Sequence, residues 1–176
     1  MPIRFQMQDE SYPDQTEPEG QLAARVRGLL RGAKVDFTEL FTVFPPAATS
    51  VTFHVKVAPG LSLNFEVSVG MEQFDLVANH ANVRLPLDYF DTADEWVNVA
   101  AESLDALLHS DLRIRVSRFF RITWGGAIWI PTAGHPDGGV WSGEGFAARG
   151  AGKEFVFPRP WYSIADDGPT PRSSGP

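Results

Sequence analysis

Four arginines crowd one short stretch of an otherwise acidic chain, namely Arg113, Arg115, Arg118 and Arg121. Arginine forks pair bidentately with phosphates and carboxylates, and the aromatic rings between these arginines could stack on bases. The stretch could therefore bind phosphate or an acidic partner. Strand alternation offers another interpretation, which we favour: a solvated sheet face whose arginines pair with acids on neighbouring strands. The acids expected there are Glu66, Glu72 and Asp75.

Late in the chain there is a set of aromatic residues, several of them beside glycine or proline: Trp124, Trp129, Trp141, Phe155, Phe157, Trp161 and Tyr162. They form either an exposed recognition surface or a second small core. The loop between Trp129 and Trp141 contains His135 and Asp137 among turn-forming residues. Loops positioned by a rigid sheet often carry binding residues. The sequence therefore predicts partner-binding residues, which are Trp129, His135, Asp137, Trp141, Arg113 and Arg115.

Catalytic motifs are not visible in the sequence. The segment around Ser142 lacks the first glycine of a nucleophile elbow, because Val140 stands at that position. Neither a phosphate-binding loop nor a dinucleotide fingerprint is present. The prediction is a small, non-enzymatic protein-binding module of the immunity or chaperone kind, which sequesters a partner protein. The alternative is a small enzyme or ligand-binding protein with a polar cleft near His135, Asp137 and Glu144.

Cysteine is absent, which excludes disulfides, thiolate zinc sites and cysteine nucleophiles. The four histidines show no pair at the spacings of common metal sites; they are His54, His80, His109 and His135. We therefore expect neither a metal nor another cofactor.

The net charge of −7, with a pI near 5.0, disfavours nucleic acid and anionic membranes as main partners. A neutral or basic protein suits this charge better. The chain shows no apolar leader at its start and no stretch of about 20 apolar residues, so we expect a cytoplasmic location. The sequence does not indicate an oligomeric state.

The organisation of the chain follows from its composition. Residues 1–17 are predicted to be a mobile acidic leader, and 166–176 a disordered tail rich in proline, glycine and serine. The remaining segment, 18–165, is long enough for a single domain with a real core.

Alternation with a period of two predicts an antiparallel hairpin between Ser50 and Val69. Two helices are predicted, one ending near Gly32 and one from about Ala93 to His109. Thr92 and Glu95 have capping-box spacing at the start of the second helix.

The predicted fold class is α+β: an antiparallel sheet of about six to eight strands with one face covered by two helices. Gly125-Gly126 is expected to end a strand that begins at Leu112. The order of helix, strands, Leu85-Pro86-Leu87 and acidic helix resembles that of small acidic bacterial chaperones and immunity proteins.

Overall fold

The computed structural model of the chain describes residues 3–6, 18–44, 48–58, 61–69, 73–78, 81–86, 89–119, 122–132 and 138–165. Its strands are β1 (Ile3–Gln6), β2 (Phe37–Phe44), β3 (Ala48–Ala58), β4 (Leu61–Val69), β5 (Gln73–Ala78), β6 (Ala81–Pro86), β7 (Leu112–Phe119), β8 (Ile122–Pro131), β9 (Gly139–Gly143) and β10 (Lys153–Phe157). Its helices are α1 (Pro18–Gly32), α2 (Ala93–Leu108) and α3 (Gly145–Ala148).

The predicted hairpin is confirmed as β3 and β4. The two strands pair antiparallel, with Phe53 directly opposite Phe65. One set of alternating side chains is fully buried, and it consists of Val51, Phe53, Val55, Leu63, Phe65 and Val67. One face of the hairpin is therefore buried, as the alternation with a period of two predicts.

The strands form one curled sheet in the order β1-β2-β3-β4-β5-β6-β8-β7-β10. The remaining strand, β9, is not part of this order and pairs with β8. The α+β class is confirmed, but the sheet differs from the predicted antiparallel sheet of about six to eight strands, because it has ten strands and is not antiparallel throughout. The sheet is mixed, because β6 runs parallel to β8 where Ala81 meets Gly126. Parallel neighbours require a long crossover, and α2 together with β7 supplies it here.

The first strand lies inside the segment predicted to be a leader. β1 pairs antiparallel with β2, and Ile3 stands opposite Val43. Ile3 and Phe5 alternate with Arg4 and Gln6, which is the pattern of a strand. The remainder of that segment, 7–17, and the predicted tail, 166–176, lie outside the described residues.

The second predicted helix is confirmed as α2. The Thr92 hydroxyl accepts a hydrogen bond from the Glu95 N–H at 3.1 Å, as expected of the helix N-cap. At the other end, His109 is the C-cap, and its Nδ1 lies 2.8 Å from the Asp105 carbonyl oxygen. None of the described helices has the length and hydropathy needed to cross a membrane.

The core joins both longer helices to the sheet. α1 contacts α2 and β4, while α2 also contacts β8. Buried tryptophans are anchored in this core by hydrogen bonds: Trp96 Nε1 donates to the Leu85 carbonyl at 2.7 Å, and Trp161 Nε1 donates to the Leu107 carbonyl at 3.2 Å. Trp161 is therefore a core residue rather than part of an exposed aromatic surface.

The prediction that Gly125-Gly126 ends a strand is wrong, because β8 runs through both residues. Gly125 has φ of +143°, and an added Cβ would lie 2.3 Å from the Glu144 carbonyl oxygen. Glycine in a strand often marks such a close approach of another backbone segment rather than a strand end.

Candidate functional site

The four strands β9, β8, β7 and β10 lie side by side and present one set of side chains away from the core. Ile114 and Ile128 are buried, so their chain neighbours point to the opposite face of the sheet. In register, Trp129 stands opposite Trp141, and Arg115 stands opposite Glu154. We call this cluster the arginine–tryptophan face, which consists of Arg113, Arg115, Trp129, Trp141 and Glu154.

The two tryptophans form a cross-strand aromatic pair. Their ring centroids are 5.5 Å apart and the ring planes meet at 63°, which is an edge-to-face arrangement. Both residues are half-buried. The Trp129 ring also lies against Gly139, where an added Cβ would come within 2.6 Å of it. The pair is therefore packed firmly on one side and accessible on the other.

Both arginines stack on these rings. The guanidinium carbon of Arg115 lies 3.8 Å from the centroid of Trp141. The guanidinium carbon of Arg113 lies 5.2 Å from Trp129 and 5.5 Å from Trp141. All three distances are within the range of a cation–π interaction, which is worth more where water is partly excluded. The side chain of Arg115 is only 15% exposed, whereas that of Arg113 is 38% exposed.

A single carboxylate serves both arginines. Arg113 Nε donates to Glu154 Oε1 at 2.8 Å, and Arg115 Nη2 donates to Glu154 Oε2 at 3.3 Å. The hydrogen bond from Arg113 is the main cause that lowers the pKa of Glu154, and burial opposes it. With two cations and one anion, this face is locally positive in a chain of net charge −7.

The acid that pairs with the arginines is not among those predicted. Asp75 instead accepts a hydrogen bond from Arg84 Nε at 2.9 Å, its partner across β5 and β6. Glu66 stands opposite Asp75 on β4, and Glu72 lies outside the described residues. Sequence reasoning missed Glu154 because β10 reaches β7 only through the return of the chain after α3. The available signal was the run Phe155-Val156-Phe157, because aromatic and β-branched residues are enriched in strands.

The arginine–tryptophan face lies between two strand edges. In the part of the chain that the structure describes, β9 pairs only with β8, and β10 pairs only with β7. Val156, which stands opposite Arg113, is 52% exposed. The face therefore combines stacked cations, accessible apolar surface and unpaired strand edges within a few residues.

Two predicted partner-binding residues, His135 and Asp137, lie outside the described residues, as does the side chain of Trp124. Glu144 is exposed at the start of α3. The other four predicted residues, Arg113, Arg115, Trp129 and Trp141, are brought together by the fold. In the sequence, the arginines and the tryptophans form two separate clusters.

In the described ranges, no group of three or more His, Asp or Glu side chains could hold a metal ion. His54 is half-buried, and its Nδ1 lies 2.7 Å from Asn64 Oδ1. Its hydrogen bond to a neighbouring strand is a structural contact.

No protein family, curated protein or solved structure matches this chain. Function is therefore inferred from the geometry of the arginine–tryptophan face, since a fold class does not determine an activity.

Proposed function

We propose that the chain is a non-enzymatic protein-binding module that sequesters a partner protein, as immunity proteins and small chaperones do, through the arginine–tryptophan face. The observation that carries the proposal is the stack of Arg115 on Trp141 at 3.8 Å, next to the half-buried Trp129. Tryptophan and arginine are the residues most enriched among those that dominate binding energy at protein interfaces.

The geometry also lowers the entropic cost of binding. A free arginine side chain loses rotamer freedom when a partner immobilises it. Arg115 is already held by Trp141 on one side and Glu154 on the other. A partner would therefore meet a surface whose long side chains are ordered in advance.

Charge restricts the kind of partner. The mean field of the acidic chain repels nucleic acid, anionic membranes and strongly acidic proteins. A neutral or basic protein is compatible with that field. At the contact itself, Arg113 is the more exposed arginine, so it is suited to a carboxylate or carbonyl group of the partner.

The test uses the purified chain as bait in a lysate of its source, followed by titration of the captured protein in a calorimeter. Trp141→Ala should raise the dissociation constant about 30-fold, which corresponds to about 2 kcal/mol. Tyr89→Ala is the matched control, because Tyr89 is 78% exposed and lies outside this face. Circular dichroism checks that each variant is folded.

Equal affinity of the wild-type protein and a folded Trp141→Ala variant would contradict the proposal. Failure of the wild-type chain to retain any protein more strongly than a blank resin would contradict it as well. The alternative of a polar cleft near His135, Asp137 and Glu144 stays a prediction, since only Glu144 is described.

A further inference from the structure

A cavity of about 170 Å³ lies on the other side of the sheet from the arginine–tryptophan face. It is partly open to the surface and is lined by residues of α2 and of β4, β5, β6, β8 and β9. On β9, Val140 and Ser142 line the cavity, whereas Trp141 between them points to the opposite face. The cavity and the tryptophan pair are therefore distinct sites on opposite faces of β9.

The lining determines which chemistry the cavity can accept. Eight of the ten lining residues are apolar, and the remaining two are serines: Ser103 on α2 and Ser142 on β9. No ionisable side chain is among these described lining residues. A charged ligand would lose its hydration without gaining a counter-charge, which is costly. The cavity therefore favours a neutral molecule.

The volume restricts the size of the ligand. An apolar cavity of roughly 150 Å³ stays dry and accepts benzene. A cavity of 170 Å³ is therefore matched to one aromatic ring with one small substituent. Val140 lines the cavity and is also 60% exposed, so the cavity reaches the surface at β9 and a ligand has a route of entry.

We propose that this cavity binds a small neutral phenol, with the ring against the half-buried Leu85 and Ile130 and the hydroxyl group toward Ser103 or Ser142. A serine hydroxyl both donates and accepts, so it can pair with a phenolic hydroxyl in either direction. This arrangement, an apolar pocket with a small number of polar groups, is the general pattern of small-molecule sites.

The test compares three probes that share one ring: 4-fluorophenol, fluorobenzene and 4-fluorobenzoate. At about ten times its dissociation constant, 4-fluorophenol should raise the melting temperature by roughly 3–6 °C. Fluorobenzene should bind more weakly, and 4-fluorobenzoate should produce no shift, because its carboxylate would be buried without a partner. Absence of a shift with 4-fluorophenol, or an equal shift with 4-fluorobenzoate, would overturn the proposal.

Variants locate the site. Ser142→Val, which adds bulk inside the cavity, should weaken 4-fluorophenol binding at least ten-fold. Ser62→Val makes the same change at a half-buried strand position outside the cavity and should leave the affinity unaltered. Ser103→Ala should weaken 4-fluorophenol about five-fold, by the loss of one hydrogen bond, without affecting fluorobenzene. Unchanged binding of 4-fluorophenol in both cavity variants would overturn the proposal.

If Ser142→Val does not fold, chemical-shift mapping of the wild-type chain decides the location. Shifts of the Leu104 and Ile130 amides on addition of 4-fluorophenol support the cavity. Shifts confined to the arginine–tryptophan face would overturn it.

Discussion

Arg115 on β7 stacks over Trp141 on β9, with its guanidinium carbon 3.8 Å from the ring centroid, although β8 lies between these strands. The same guanidinium group donates to Glu154 on β10. The Arg115 side chain thus links its own strand, β7, to β9 and β10, which are the edge strands of this part of the sheet. The stack can therefore hold the edge strands in place as well as present a surface to a partner.

A double-mutant cycle measures this stack. Arg115→Ala and Trp141→Ala should show a coupling free energy of about 0.5–2 kcal/mol in urea unfolding, because each variant removes the same cation–π contact. Arg27→Ala, combined with Trp141→Ala, provides the control, since Arg27 pairs with Glu39 in another part of the fold. That pair should be additive within about 0.5 kcal/mol. Additive behaviour of Arg115 and Trp141 would show that the stack contributes nothing to stability.

Glu154 should give the chain an acid-dependent stability. Its pKa in the folded chain is below the ordinary value of 4.5, so the folded protein binds this proton less readily than the unfolded chain. The stabilisation is complete above pH 4.5 and is lost as the pH falls through the lower folded pKa. Urea unfolding between pH 7 and pH 3 should show a smaller acid loss in Glu154→Gln than in the wild-type protein. Parallel curves for the two proteins would refute this assignment.

Two glycine substitutions should have effects of opposite sign. Gly139→Ala places a Cβ 2.6 Å from the Trp129 ring and 2.7 Å from the Ile130 carbonyl oxygen, so it should destabilise the chain by about 1–3 kcal/mol. It should also change the near-ultraviolet circular dichroism of the tryptophan pair. Gly28→Ala meets nothing within 4 Å on α1 and should stabilise by about 0.5–1 kcal/mol. A neutral Gly139→Ala would mean that the Trp129 ring and the Ile130 backbone both shift at little cost.

The hairpin register predicts a large cost for one core substitution. Phe65 is fully buried, so Phe65→Ala should lower the free energy of unfolding by about 3–5 kcal/mol. Tyr89→Ala truncates an exposed ring and should change it by no more than about 0.5 kcal/mol. Chemical denaturation of the three proteins makes the comparison. An unchanged midpoint for Phe65→Ala would show that the register is incorrect.

Removal of divalent metal should leave the fold intact. With no cysteine in the chain, and no metal-ligand cluster in the described ranges, dialysis against a chelator is expected to leave the melting temperature unchanged. A clear decrease in melting temperature, together with stoichiometric zinc or nickel in elemental analysis, would instead show that the fold brings together metal ligands that are far apart in the sequence.

Local patterns predicted the elements well and their long-range pairing poorly. The alternation around Phe53 and Phe65 and the N-cap at Thr92 depend on neighbouring residues, so both could be predicted directly. The parallel contact between Ala81 and Gly126 depends on the path of a crossover, which leaves no local pattern. Gly125 was misinterpreted because a strand end and a close backbone approach select the same residue type.

In the candidate site, too, the residue types could be predicted from the sequence, whereas their spatial arrangement could not. Residue type alone singled out Arg113 and Trp141, because arginine and tryptophan are common at interfaces. Their stacking, however, requires β9 and β7 to lie on opposite sides of β8, and their link to Glu154 requires β10 at the edge of the sheet. These relationships come from strand order, which the sequence did not reveal.

The parallel contact between β6 and β8 has a further consequence for the order in which the sheet is built. Strands β2 to β6 follow one another as successive hairpins, and β7 with β8 forms another. In the described ranges, Ala81 and Gly126 are the one strand pair that joins these two groups. Hairpins close short loops, whereas the contact between β6 and β8 requires a long crossover, so we expect the hairpins to form first. Among the described ladders, the contact between β6 and β8 is also the shortest, so its opening breaks fewer ladder hydrogen bonds than the opening of any hairpin. The tryptophan pair and the phenol-sized cavity therefore both lie beside the shortest of the described ladders.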